Sequence, residues 1–256
     1  LGGLQMSSIE FDGAYAAQLR RRRAQIAELV ERACEASGRK PEDVVVCAVS
    51  KTVDVPQVAA ARAAGYTDFA ENRPQELERK LSLIAGDPAF EGVRWHMIGN
   101  LQENKINHVL AARPCLVHSI SSAKLAEAVS KRAVVAGIVQ PVLLEANVSG
   151  EESKQGMAPD ELKAMFEMAQ ELEGIDVRGL MTMAPQGDMC VAERTFEGLR
   201  MLRDELAQAY PQASLQVLSM GMSEDFEAGI RQGATIVRLG RVAFDPTFSI
   251  EERLHI

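Results

Sequence analysis

A lysine at the end of a short apolar run is the first residue of this chain that could do chemistry. In Val44-Val45-Val46-Cys47-Ala48-Val49-Ser50-Lys51, strand alternation puts Val45, Cys47, Val49 and Lys51 on one face. With the first three filling an interior, Lys51 projects inward at the strand's C-terminal end. Desolvation there would disfavour the ammonium form and leave a neutral amine able to condense with a carbonyl. The plainer alternative is a lysine that reaches water or pairs with a carboxylate such as Glu71. The second feature lies near the other end of the chain. Ser219-Met220-Gly221-Met222-Ser223 precedes a helical pattern, and Arg238-Leu239-Gly240-Arg241 closes the last apolar run. Small residues let backbone N–H groups approach an anion, the Ser219 hydroxyl can donate, and a helix start adds positive dipole character. This reads as a phosphate cradle, although Gly221 and Gly240 could equally serve only to make tight turns.

These residues need elements to position them. Eight short, β-branched apolar runs (44–50, 67–70, 94–98, 115–120, 141–147, 177–183, 214–219 and 235–239) alternate with helical patterns. Asp54 can cap a helix over 55–64, and Pro74 suits the first turn of one whose apolar face is Leu77, Leu81 and Ile84. Further helices are predicted over 102–112, 122–136, 159–172, 188–209 and 223–231, with Ser122 and Ser223 as N-caps and Pro159 in a first turn. This α/β alternation predicts a (β/α)8 TIM barrel with an additional N-terminal helix, about 11–38, packed on or under it. A doubly wound open sheet is the rival. It would carry a glycine-rich turn after its first strand, where this chain has Ser50-Lys51-Thr52-Val53. In a barrel both chemical features fall at the C-terminal mouth, as does the polar loop 149–156. A lysine amine and a phosphate cradle on one rim suggest a phosphorylated carbonyl compound, of which pyridoxal 5'-phosphate is the obvious candidate.

Composition narrows the partners. The 256 residues are 46% hydrophobic and 25% charged, an ordinary globular balance that excludes collagen, coiled coil and wholesale disorder. A net charge of −8 argues against general binding of nucleic acid or anionic membrane. The run Arg20-Arg21-Arg22-Arg23 is the local exception. It lies in a helical pattern with Tyr15, Leu19, Ile26, Val30 and Ala33 on one face, and reads as a solvated face. Cys34, Cys47, Cys115 and Cys190 have neither disulfide-framework nor metal-ligand spacing, which points to a reducing cytoplasm and no metal. No apolar run is long enough to span a membrane. Residues 1–10 are expected to be disordered or an expression remnant, with Leu1–Gln5 ahead of a native start at Met6, and 11–256 to form one domain. His96 and His118 are expected to be hydrogen-bonded structural residues and Trp95 to be core or interface. Met181, Met183, Met220 and Met222 are expected to pack, and Glu145 to be exposed or ion-paired.

Seven ordered motifs then carry a resemblance: Ala48-Val49-Ser50-Lys51-Thr52, Ala70-Glu71-Asn72-Arg73-Pro74-Gln75-Glu76, Trp95-His96-Met97-Ile98-Gly99-Asn100-Leu101-Gln102-Glu103-Asn104-Lys105, Val117-His118-Ser119-Ile120, Asn147-Val148-Ser149-Gly150-Glu151, Gly179-Leu180-Met181-Thr182-Met183-Ala184-Pro185 and Leu218-Ser219-Met220-Gly221-Met222-Ser223-Glu224-Asp225-Phe226. Over residues 40–245 the chain resembles the YggS/PROSC family of pyridoxal phosphate homeostasis proteins. The resemblance implies the fold type III barrel of the alanine racemase N-terminal domain, with pyridoxal phosphate held as a Schiff base on Lys51. It further implies that Arg238 faces the pyridine nitrogen, that Ser219 and the backbone of Gly240 and Arg241 hold the phosphate, and that Asn72 lines the pocket; Gly221 and Met222, from the cradle run, are expected to bind the cofactor with them. Ala70, Asn100, Val53 and Ser121 depart from residues common in the family, and Val53 removes a frequent second lysine.

The function so implied is to buffer, carry or deliver pyridoxal phosphate, with PLP-dependent apo-enzymes as possible recipients, without robust catalysis, and more as a monomer than a dimer. About 15 residues follow the barrel's closure, too few for the second domain from which a racemase draws its opposing acid or base. The alternatives are a small racemase or decarboxylase of weak activity, for which Tyr15, Tyr66 and Tyr210 are poorly placed, and a cofactor-free Schiff-base aldolase.

Overall fold

The computed structural model describes residues 8–151 and 155–254. Strands β1 (Val45–Val49), β2 (Asp68–Glu71), β3 (Arg94–Met97), β4 (Leu116–Ile120), β5 (Gln140–Glu145), β6 (Ile175–Met181), β7 (Val217–Ser219) and β8 (Ile236–Leu239) form a closed barrel in chain order. Every neighbouring pair is parallel, and β8 closes on β1 with Cys47 opposite Arg238. The helices are α1 (Gly13–Glu35), α2 (Val55–Ala63), α3 (Pro74–Ile84), α4 (Ile106–Ala112), α5 (Ala123–Val135), α6 (Pro159–Ala169), α7 (Met189–Ala209), α8 (Phe226–Arg231), α9 (Arg241–Phe244) and α10 (Glu251–Leu254). Among the described residues no helix is long and apolar enough to cross a membrane.

Alternation along the strands divides the apolar residues into two populations. Outward residues such as Ala48, Phe69, Val117, Leu144 and Leu218 pack with the helices in the larger core. Inward residues Cys47, Val49, Ala70, Leu116, Leu143, Met181 and Ile236 form a separate cluster inside the barrel. This interior is less apolar than the branched aliphatic layers usual for the fold. Asp68, His96, His118, Ser219 and Arg238 are also buried, and hydrogen bonds join them in one chain. Trp95 is core, stacked on Phe69 at 5.5 Å.

The helix starts follow the local chemistry. Asp54 caps α2 and forms a reciprocal box with Gln57, while Ser122 and Asp188 accept from Leu125 N–H and Val191 N–H at the starts of α5 and α7. Pro74 and Pro159 sit in first turns. Boundaries differ from the sequence reading at several elements, among them β6 (expected over 177–183), β7 (expected from 214) and three helices. The segment 102–112 opens with a 3-10 turn and becomes α-helical only at Ile106. The helix from Pro159 ends at Ala169. Helix α8 begins at Phe226, so Ser223 is not its cap; the Ser223 hydroxyl oxygen instead accepts from Val242 N–H at 3.1 Å.

Helix α1 joins the outer ring beside α2 and α8 and also contacts α9 and α10. Arg20 and Arg21 are exposed, as expected of a solvated face, but Arg22 is buried and donates to the carbonyls of Val242 and Phe248. Arg23 lies over the Tyr66 ring. Of the segment expected to be disordered, residues 1–7 lie outside the described residues, whereas Ser8 donates to Asp87 from both its N–H and its hydroxyl.

Candidate functional site

A cavity of about 500 Å³ opens at the C-terminal mouth of the barrel. Lys51, Asn72, Met222, Arg238, Gly240 and Arg241 all line it, and Glu145, Gln155, Ser223, Glu224 and Asp225 line it with them. The segment between Glu151 and Gln155 in the loop expected at this mouth lies outside the described residues.

Lys51 continues the inward face set by Cys47 and Val49, as the alternation predicts. It differs from the expectation in one respect: the residue is exposed at the mouth, so the protein by itself does not desolvate the amine. Nor does it pair with Glu71. That carboxylate is bound by Lys80, whose buried Nζ donates to Glu71 Oε1 at 2.6 Å, Ser50 O at 2.8 Å and Val53 O at 2.7 Å. An ammonium carries three donors, and here all three are used. Two of them grip the carbonyls flanking Lys51, so its backbone is fixed while its side chain stays free to reach into the cavity.

Across the mouth, only some of the groups expected to form the cradle are available to a ligand. Ser219 is fully buried below the cavity, and its hydroxyl is occupied by Arg238 and His118. Gly221 is at φ +96°, and a Cβ there would stand 2.9 Å from the Phe226 Cα, so the tight turn requires glycine. Met222 lines the cavity, but its N–H donates to Asp225 Oδ1 at 2.6 Å and is not available to an anion. The N–H groups of Ser223, Glu224 and Gly240 have no hydrogen-bond partner among the described residues. The Ser223 hydroxyl accepts from Val242 N–H and keeps its own proton for a ligand. Of the two serines in the Ser-Met-Gly-Met-Ser run, Ser223 borders the cavity and Ser219 does not. The signal of Ser223 was present in that run and was spent on a helix cap.

Arg238 is 5% exposed and reaches the cavity floor. Its guanidinium donates to Ser219 Oγ at 2.7 Å and to Thr182 O at 3.0 Å. The chain continues from Ser219 to His118 Nδ1 at 2.9 Å, from His118 Nε2 to His96 Nδ1 at 3.0 Å, and from His96 Nε2 to Asp68 Oδ1 at 3.2 Å. Arginine only donates and an ionised carboxylate only accepts. With neutral rings the direction follows: the Ser219 hydroxyl donates to His118, His118 Nε2–H to His96, and His96 Nε2–H to Asp68. Burial, with His96 and Arg238 nearby, pushes the His118 pKa well below its usual value. Asp68 is held down at about 2: burial opposes ionisation, but hydrogen bonds from His96, Arg94 and Thr67 outweigh it. Both histidines are thus hydrogen-bonded structural residues, as expected, and they tie Arg238 to the opposite side of the barrel.

Glu145 corrects the expectation of an exposed or ion-paired carboxylate. It is 2% exposed, and its Oε2 has no hydrogen-bond partner among the described residues. Burial raises its pKa to about 7, partly offset by Arg238. The alternation that placed Lys51 also reaches this residue, because Leu143 faces the interior two positions earlier. The side chains lining the mouth do not form a positive patch: Lys51, Arg238 and Arg241 stand among Glu145, Asp188, Glu224 and Asp225. Anion attraction rests instead on free N–H groups and on Arg238. Tyr15, Tyr66 and Tyr210 are absent from the described lining of the cavity.

Residues 22–245 match the family model described as alanine racemase, N-terminal domain. A protein of Aquifex aeolicus, named pyridoxal phosphate homeostasis protein, is 41% identical over 87% of this chain and 96% of its own length. The chain belongs to that family. A Pseudomonas aeruginosa protein of the same name is 38% identical over 86% of this chain and 92% of its own length. Among solved structures, PipY of Synechococcus elongatus with PLP bound aligns at TM-score 0.73 and 31% identity, over 84% of this chain and 99% of its own. An alanine racemase of Clostridium difficile shares the fold at TM-score 0.71 and 17% identity, and this chain spans 58% of it. For a pyridoxal phosphate homeostasis family member, the barrel and its mouth are thus in the expected place.

Proposed function

We propose that this chain binds pyridoxal 5'-phosphate at the barrel mouth, with Lys51 joined to it as a Schiff base, and serves its intracellular homeostasis by buffering, carrying or delivering it. One observation carries the reading. A single cavity holds a free lysine side chain, a buried arginine and three backbone N–H groups without partners. These residues fit the compound's chemistry: an amine for the aldehyde, a cation for the ring nitrogen and a cradle for the phosphate.

When bound, pyridoxal phosphate supplies an aldehyde and an electron-withdrawing ring. Ser223, Glu224 and Gly240 donate to the phosphate, the first through its hydroxyl as well as its N–H, while Asn72 and Met222 wall the pocket and Arg241 adds charge at the rim. Arg238 holds a fixed positive charge against the ring nitrogen and keeps it unprotonated, which makes the ring a poorer electron sink. Weak electron withdrawal and a mouth without a tyrosine among its described lining both favour carriage over turnover. Delivery to PLP-dependent apo-enzymes in the cytoplasm follows as the physiological role we propose.

The test is borohydride reduction of the protein incubated with pyridoxal phosphate, followed by peptide mapping. The pyridoxyl adduct is expected on Lys51. An adduct confined to another lysine overturns the site, and the absence of any imine absorbance overturns the cofactor reading.

A further inference from the structure

Among the acids of the cavity, Glu145 stands apart. Asp225 accepts the Met222 N–H, Glu224 pairs with Arg241, and Asp188 caps α7. Arg238 donates to Ser219 and Thr182 and makes no hydrogen bond to Glu145. The Glu145 side chain is almost wholly buried, yet its Oε2 faces no donor among the described residues. A buried polar atom left open costs about 1–3 kcal/mol, a cost that an arriving donor would remove. Lys51 borders the same cavity.

We propose that Glu145 is the proton acceptor for a primary amine entering the site, so that the bound ligand is released by exchange onto amines rather than by hydrolysis alone. This rests on the cofactor reading above and specifies how the site would be emptied. An amine arrives as an ammonium ion and has no lone pair to offer. The Glu145 carboxylate takes one proton from it. The freed nitrogen bonds to the carbon joined to Lys51 and passes its two remaining protons to the Lys51 nitrogen as the bonds from that carbon to Lys51 break, and Glu145 returns its proton to the released Lys51 amine. The net change is one ammonium consumed and one formed, with no oxidant or reductant.

Burial supports this role by holding the Glu145 carboxyl up to about 7, where it can both accept and return a proton near neutrality. The charged and titratable groups around the cavity are Arg238 from β8, Lys51 after β1, Glu224 and Asp225 ahead of α8, Asp188 ahead of α7 and Arg241 at α9. His118 belongs to the neighbouring strand β4 and is held neutral. Arg238 opposes the upward shift and does not cancel it.

The experiment mixes the pyridoxal phosphate-loaded protein with glycine or methylamine and follows the absorbance change by stopped flow across neutral pH. Wild type, Glu145→Gln and Glu145→Asp are compared. The wild-type rate should rise through an inflection near pH 7, and Glu145→Gln should lose the inflection and slow by at least about tenfold above it. Glu145→Asp should retain an inflection. An unchanged rate, or an inflection that survives in Glu145→Gln, overturns the proposal. Infrared titration of the unloaded protein gives a second reading. A protonated carboxyl band should titrate near pH 7 and vanish in Glu145→Gln, and its absence from wild type is contrary to the proposal. If neither protein takes up pyridoxal phosphate, the cofactor reading itself falls and takes this inference with it. That result is distinct from slow or pH-insensitive exchange.

Discussion

Lys51 and Ser223 have their polar atoms turned toward the cavity and little else to hold. Replacing an exposed lysine should leave the fold nearly intact, within about 0.5 kcal/mol, so Lys51→Ala should lose the imine absorbance and keep its melting transition. A variant that unfolds would assign Lys51 to structure instead. Ser219 and Ser223 offer a sharper contrast. Ser223→Ala removes the hydroxyl proposed to donate to the phosphate and should weaken ligand binding about tenfold or more, as hydrogen bonds to charged groups contribute about 1.5–3 kcal/mol. Ser219→Ala breaks the link between Arg238 and His118 and should change the spectrum of the bound ring more than the competition by inorganic phosphate. Fluorescence titrations with and without phosphate separate the two, and a larger phosphate effect at Ser219 would restore the original assignment.

At the scale of elements, the turn after β1 depends on a helix three elements on in the chain. Lys80 on α3 is buried against Glu71 at the end of β2 and holds the carbonyls of residues 50 and 53. Removing one partner of a buried pair leaves an uncompensated charge and costs about 3–5 kcal/mol. Lys80→Met should therefore destabilise the protein by that order in urea unfolding. Adding Glu71→Gln should recover part of the loss without restoring the rate at which Lys51 captures pyridoxal phosphate, because the two carbonyls stay ungripped. If capture in Lys80→Met alone matches wild type, the turn is held by other means. The sequence displayed the start of α3 through Pro74 and its apolar stripe, but its lysine looked like any surface helical lysine. Only the closeness of β1, β2 and α3 gives Lys80 three acceptors.

For the whole molecule, two buried carboxyls pull stability in opposite directions with pH. Asp68 is held down at about 2 against an ordinary 3.8, so its contribution is present above about pH 4 and is lost as pH falls toward 2. Glu145 is raised to about 7 from 4.5, so the folded state is favoured below pH 4.5 and loses on the order of 3 kcal/mol as pH rises through 7. Urea midpoints across pH should show Asp68→Asn flattening the acid limb, and Glu145→Gln gaining stability over wild type at pH 8 but not at pH 4. Equal responses of wild type and Glu145→Gln would mean that Glu145 is solvated in the folded protein. That gain, set against slower exchange, is the trade expected of a residue kept for function.

The amino-acid sequence determined the order of strands and helices, the mouth of the barrel as the place of the candidate site, and Lys51, Met222, Arg238, Gly240 and Arg241 as residues there, with Asn72 added by the family resemblance. Periodicity, caps and turns are local properties, and the inward face of a parallel strand can be read two residues at a time. Tertiary structure decided which partner each polar atom met. Ser219 was taken by His118 and Arg238, while Ser223 was placed at the cavity. Met222 N–H was taken by Asp225. Glu145 was left with an open oxygen, and Lys80 rather than Lys51 met Glu71. A hydrogen bond requires its two atoms within about 3 Å, and only closure of the barrel brings together residues as far apart in the chain as Asp68 and Arg238.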